Sequence, residues 1–165
     1  MKLFRIVALG LATAAALLSG TAFAQTTSTF NVNLTLTPKC YINMAGTTPA
    51  DVATTDVTMT YTAFQTADVE RSTGFTVTCT NTLGYGIAVS NDTDTIAGVD
   101  YYLKLVAGTS ASYTSAAGEA SLSTLAGSGA AQSYTIGVRA PGGQAGTCAS
   151  GTCPGSNLHT ITVTY

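Results

Sequence analysis

Residues 29–37 alternate without a break. Phe30, Val32, Leu34 and Leu36 are apolar, and Asn31, Asn33, Thr35 and Thr37 between them are polar. A period of two sends successive side chains to opposite faces, so this segment is predicted as a β-strand with one apolar face. The pattern recurs at 56–61 (Val57, Met59, Tyr61), at 74–79 (Phe75, Val77, Cys79) and at 133–138. It returns at 159–165, where His159, Ile161, Val163 and Tyr165 share a face. Residues 85–89 and 101–106 are further short runs rich in Val, Ile, Leu and Tyr. Such residues suit a pleated, half-buried surface. No segment beyond residue 24 sustains a 3.6-residue period. Short strands separated by Gly, Asn, Asp and Ser predict an all-β fold, an antiparallel β-sandwich. Residues 107–131 and 140–157 are mostly Gly, Ala, Ser and Thr and read as long surface loops. No internal repeat and no interdomain linker divides the chain.

The first 24 residues follow a different logic. Lys2 and Arg5 precede a nearly uncharged apolar stretch from Ile6 to Leu18, and Ala22-Phe23-Ala24 offers a small-residue cleavage site before Gln25. This is the layout of a secretory signal peptide, and the short Ala- and Gly-rich core argues against a membrane anchor. Its removal leaves roughly 140 residues, the size of one domain. It also lowers the basic residues to four (Lys39, Arg71, Lys104, Arg139) against eight acidic ones, a net charge of about −4. No basic patch remains to neutralise phosphates, which speaks against nucleic acid as a partner. So few charges also leave little repulsion to oppose self-association.

Export changes the reading of the cysteines. Cys40, Cys79, Cys148 and Cys153 form an even set in an exported chain, which points to disulfides. Of three possible pairings, Cys40–Cys79 with Cys148–Cys153 is favoured, because the second pair encloses only a short flexible loop, Ala149 to Thr152. In the chain-entropy view the long loop contributes about 4 kcal/mol and the short one about 2 kcal/mol. A metal site is disfavoured, since His159 is the single histidine and no C-x-x-C spacing occurs.

Candidate chemistry is sparse. His159 reads as structural rather than as a base. No serine sits in a G-x-S-x-G elbow. Gly142-Gly143-Gln144-Ala145-Gly146 lacks the Lys-Ser/Thr pair and the helix of a phosphate loop. Asn91-Asp92-Thr93-Asp94 reads as a polar turn rather than a calcium site. Asn33 and Asn91 head glycosylation-type triplets that are read as chance matches. The chain is therefore expected to be non-enzymatic and to need no cofactor. Three alternatives follow from the residues alone. Residues 29–37 could be the first strand of a self-complete sandwich. The chain could be a secreted sandwich binding a carbohydrate or surface ligand, although it lacks the tryptophan that sugar platforms favour. The aromatic end at Tyr165 also fits a small outer-membrane barrel, but the Gly/Ser-rich segments break the strand count such a barrel needs.

The combined pattern resembles the spore coat protein U/Csu-type family, the pilins of archaic chaperone–usher pili. The matching features span essentially the whole mature chain. They are Phe30-x-Val32-x-Leu34-x-Leu36 before Cys40, Val57-x-Met59-x-Tyr61-x-x-Phe64, and Phe75-x-Val77-x-Cys79-x-Asn81. Tyr101-x-Leu103, Tyr134-x-Ile136-Gly137-Val138 and the terminal Ile161-x-Val163-x-Tyr165 follow in order. Departures occur where such pilins carry Gly-x-Tyr-x-Asp before the last strand, here Gly155-Ser156-Asn157-Leu158, and a Phe-Gly pair, here Tyr61-Thr62. The Cys148/Cys153 pair looks like an addition.

The resemblance implies an incomplete immunoglobulin-like sandwich completed by donor-strand complementation. Its parts would be a signal peptide (1–24), an N-terminal donor strand (25–37) carrying Phe30, Val32, Leu34 and Leu36, and a pilin domain (38–165). Ile161, Val163 and Tyr165 would border the groove. The implied partners are further copies of the chain in a head-to-tail filament, a periplasmic chaperone and an outer-membrane usher. The implied location is an extracellular pilus, reached through the periplasm, with a role in adhesion or biofilm formation. Burying four such side chains yields roughly 1.5–3 kcal/mol each, or about 6–12 kcal/mol before ordering costs.

Overall fold

A computed structural model of the chain describes residues 28–43 and 56–165. The expected signal peptide (1–24) and residues 25–27 lie outside the described residues. Leu36–Tyr165 forms one compact unit, and the described residues 28–35 belong to another.

The larger unit is all-β, with no helix among the described residues. Its strands are β1 (Cys40–Asn43), β2 (Val69–Cys79), β3 (Gly84–Val89), β4 (Thr93–Ile96), β5 (Val99–Ala107), β6 (Ser121–Ala126), β7 (Ala131–Ala140) and β8 (Ile161–Thr164). One sheet has the order β1-β2-β7-β5-β4 and the other β6-β3-β8. Every pairing is antiparallel.

Alternation explains how the two sheets share a core. In β2 the inward set Phe75, Val77 and Cys79 is buried; in β5 it is Tyr101, Leu103 and Leu105. β3 supplies Tyr85, Ile87 and Val89 from the opposing sheet, and all of these join one cluster. Sheets that bury one face each against the other make a sandwich. Tyr134 of β7 stacks on Phe75 with centroids 5.6 Å apart, and its hydroxyl lies 2.5 Å from that of Tyr85. Tyr85 donates onward to Gln132 Oε1 at 3.0 Å, so Tyr134 donates to Tyr85. Burial, then the Tyr85 hydroxyl, holds the Tyr134 hydroxyl well above the usual tyrosine range. Disulfides join Cys40 to Cys79 across the β1–β2 ladder and Cys148 to Cys153. Such bonds persist in an oxidising, exported compartment.

Several sequence expectations need correction. Residues 56–61 keep the predicted alternation of burial but form no strand. Residues 107–131 are not one loop, because β6 lies within them. Leu122 and Leu125 pack on the core, and a register shift between Tyr85 and Ile87 opposite β6, with Thr124 at φ 58°, hides a simple period of two. β4 carries no usual hairpin signal, because its turn is Ala97-Gly98. Both residues have positive φ (49° and 72°), which suits a two-residue turn, but Ala is not the usual signal for one. Gly137 is needed for another reason: a Cβ there would collide with the Ser112 carbonyl and lie 3.0 Å from the Tyr113 ring. The segment after β5 therefore crosses directly over β7.

Candidate assembly site

Three segments with unmet pairing capacity carry the apolar residues singled out above. The first is 28–36, which contains no strand. Its apolar positions face solvent: Phe30 is 86 % exposed, Val32 81 %, Leu34 89 % and Leu36 73 %. An isolated exposed apolar residue is ordinary, but four in alternation form a continuous exposed apolar face. Residues 29–37 form no strand in this structure. Thr37, Pro38 and Lys39 then lead into β1. The Lys39 amide donates to Thr80 Oγ1 at 2.9 Å, and the Thr80 amide to the Lys39 carbonyl at 3.0 Å. These bonds and the Cys40–Cys79 disulfide mark where the fold proper starts.

The second segment is 56–61. Val57, Met59 and Tyr61 are half-buried and pack against the core, while Asp56, Thr58 and Thr60 face out. Among the described residues, no backbone–backbone hydrogen bond reaches this stretch. Its carboxyl end is nonetheless held firmly. The Tyr61 hydroxyl donates to the Pro141 carbonyl at 2.9 Å and accepts from the Gln144 amide at 3.0 Å. The Phe64 amide donates to the Gln144 carbonyl at 2.8 Å, and the Gly143 amide to the Gln65 carbonyl at 2.6 Å. Asp68 accepts from the Gly142 amide at 2.8 Å and pairs with Arg139. That amide, followed by the Arg139 guanidinium, outweighs desolvation and holds the Asp68 carboxyl below the usual range.

The third segment is β8. It pairs only with β3, so its other edge is open among the described strands. Ile161 and Val163 point inward and remain half-buried, and Tyr165 is 58 % exposed. β8 also approaches β1, the edge strand of the other sheet, without pairing with it. The opposite edge of the same sheet differs. β6 is broken by the register shift and by Thr124, features that discourage edge pairing. β8 has no such protection, with Thr162 and Thr164 as its outward residues.

His159 anchors the start of β8. Its Nδ1 lies 2.8 Å from the Ser90 carbonyl and its Nε2 2.7 Å from the Tyr101 hydroxyl. A carbonyl can only accept, so Nδ1 carries the proton and Tyr101 donates to Nε2. Asn157 Nδ2 donates to Tyr101 at 3.1 Å and to the Thr95 carbonyl at 3.2 Å. Burial, partly offset by the Asn157 amide, raises the Tyr101 hydroxyl above its ordinary value. The arrangement is a structural clasp between the two sheets. No group of three metal-ligating side chains occurs among the described residues. The clasp and the Tyr61–Gln144 brace were invisible in the sequence, since each joins positions more than fifty residues apart.

The chain matches no family model, no curated protein and no solved structure.

Proposed function

We propose that the chain is a structural, non-enzymatic subunit of an extracellular chaperone–usher pilus. The subunit is an incomplete immunoglobulin-like sandwich, and it polymerises by inserting its N-terminal strand into the groove of a neighbouring copy. One observation carries the reading. An alternating face of Phe30, Val32, Leu34 and Leu36 lies exposed, while in the Leu36–Tyr165 unit the outer edge of β8 and the 56–61 stretch lack backbone partners among the described residues. An extended segment in need of a sheet and a sheet edge in need of a strand are complementary by β-augmentation. The motif order shared with the Csu-type pilins supports the same reading.

In this scheme a periplasmic chaperone covers the edge first, because an open apolar edge promotes aggregation. Exchange for the next subunit's N-terminal segment then takes place at the outer-membrane usher. A head-to-tail contact of this type does not close on itself and so propagates a filament.

The test is removal of residues 25–37 from the mature protein. Full-length protein should form oligomers that survive mild denaturant. The truncated protein should remain monomeric and melt lower, and the peptide TFNVNLTLT should restore its stability. A truncated protein that is a stable monomer with an unchanged melting temperature would refute the proposal.

A further inference from the structure

The two disulfides stand in opposite surroundings. Cys40 and Cys79 are 8 % and 1 % exposed and belong to the core cluster. The backbone at Gly127 closes over Cys79. A Cβ there would collide with the Thr80 carbonyl and lie 2.8 Å from the Cys79 Cβ. The Gly127 amide donates to the Leu83 carbonyl at 2.8 Å and the Gly129 amide to the Cys79 carbonyl at 3.1 Å, which fixes that cover. A thiol has no path to these sulfurs while the sandwich stays folded. Cys148 and Cys153 are exposed, as is every residue between them.

The loop that carries the second bridge leaves and returns at one place. The Thr147 amide donates to the Ala97 carbonyl at 2.8 Å, and Asn157 Nδ2 to the Thr95 carbonyl at 3.2 Å. The two acceptors lie two residues apart at the end of the β4–β5 hairpin, a span of at most about 7 Å. Gly155 packs on Ile96 between them, so closely that a Cβ there would lie 2.7 Å from Ile96 Cγ2. An excursion whose ends are neighbours is an Ω-loop. These contacts close its base without help from the disulfide. Among the described residues, no hydrogen bond joins 148–156 to the rest of the protein. The sequence separation bridged is 5, against 39 for Cys40–Cys79, so the second bridge also constrains the unfolded chain far less.

We infer that Cys148–Cys153 is a reversible modification site for a low-molecular-weight thiol, and that Cys40–Cys79 is not. The incoming thiolate attacks one loop sulfur in line with the bridge, bonds to it and expels the other sulfur as a thiolate, which takes a proton from water. The protein then carries one mixed disulfide and one free cysteine. A second thiolate attacks the mixed disulfide and leaves as a small-molecule disulfide, so that two electrons pass from two thiols to the loop. In the reverse direction the free cysteine attacks the mixed disulfide and restores the bridge. The tethered feet of the loop favour that return by keeping the two cysteines near each other. Opening frees 148–156 and leaves β8 seated, because Asn157 and His159 remain bound to Thr95, Tyr101 and Ser90. The inference stands apart from the assembly reading.

The experiment uses the mature, fully oxidised protein and reduced glutathione. Samples are quenched with iodoacetamide and mapped by mass spectrometry. Glutathione and then carbamidomethyl should appear on Cys148 and Cys153, with the Cys40–Cys79 cross-link retained. Hydrogen exchange in β3 and β8 should not change on opening, and removal of glutathione under a mild oxidant should restore the original bridge. The double variant Cys148→Ser, Cys153→Ser should keep the wild-type melting temperature and take up no glutathione. Opening of both bridges together, or no glutathione on the loop cysteines, would overturn the inference. So would a double variant that fails to fold or melts well below wild type, since the bridge would then be a structural one.

Discussion

Two segments of the chain share one pattern and meet different fates. Residues 30–36 and 57–61 both alternate apolar with polar side chains, and neither belongs to a strand. Val57, Met59 and Tyr61 nevertheless pack on the core, whereas Phe30, Val32, Leu34 and Leu36 stay exposed. The difference does not come from hydrophobicity, since the first segment is the more apolar. It comes from tethering. Tyr61 is bound to Pro141 and Gln144, and the turn that follows is bonded to 142–144. A period of two therefore specifies an extended conformation and an apolar face, but not the partner that covers it.

The sharpest way to break this comparison is a charge placed on each face in turn. Leu34→Asp should leave the melting temperature of the monomer unchanged within error, because Leu34 is exposed. It should abolish assembly, measured by light scattering or electron microscopy. Insertion would have to bury a carboxylate, a cost of several kcal/mol. Normal filaments from this variant would remove Leu34 from the joint. Met59→Ala should show the opposite balance. Its half-buried side chain supports the core, so the monomer should lose about 1–2 kcal/mol, below the usual range for a fully buried methionine. A fall of a few degrees in Tm by calorimetry follows for a domain of this size. An unchanged Tm would mean that 57–61 is no more anchored than 30–36.

Tyr61→Phe is a gentler probe. It keeps the ring and deletes the hydroxyl that links Pro141 to Gln144. The Gln144 amide loses its acceptor at a partly buried place, so a loss of about 1 kcal/mol is expected. Hydrogen exchange should rise at Gln144 and Gly143 more than in β7. Uniform exchange across these residues would show that the brace does not hold the segment.

What the sequence made legible was the local periodicity. The strands around Phe75–Cys79, Tyr85–Val89, Tyr101–Val106 and Ser133–Val138 all lie inside observed strands; the first three bury one face and alternate, whereas β7 is buried continuously from Tyr134 to Val138. β6 and β4 were missed because a register shift and an Ala-Gly turn mask the usual signals. The run at 56–61 has the apolar/polar alternation of a strand but forms none; pairing is a tertiary property that the pattern does not encode. The apolar residues of the candidate site were visible for the same reason that strands were. The elements that position them, the Tyr101–His159–Asn157 clasp and the Tyr61–Gln144 brace, depend on long-range hydrogen bonds between residues that are unremarked polar positions in the sequence.

The smallest expected effect concerns the far end of that brace. Asp68 accepts from the Gly142 amide and faces Arg139, and its pKa is depressed in the folded state, chiefly by the amide. A carboxyl whose folded pKa lies below its unfolded value adds stability that is present above the unfolded value, ~3.9 for Asp. That stability is lost as pH falls through the folded pKa. Glu119 behaves in the same direction through Lys104, so acid lability alone does not isolate Asp68. The difference between wild type and Asp68→Asn does. At neutral pH the variant should melt slightly lower, since the group is solvent-accessible and its ion pair is screened. Once the pH has fallen through the folded pKa of Asp68 the two curves should converge, because the protonated aspartic acid and the amide are then alike in charge. Melting curves that run parallel from neutral pH down to acid would show that the turn after Tyr61 is held by its backbone bonds alone. The anchoring of 57–61 would then depend on the Gln144 contacts and not on the Asp68 charge.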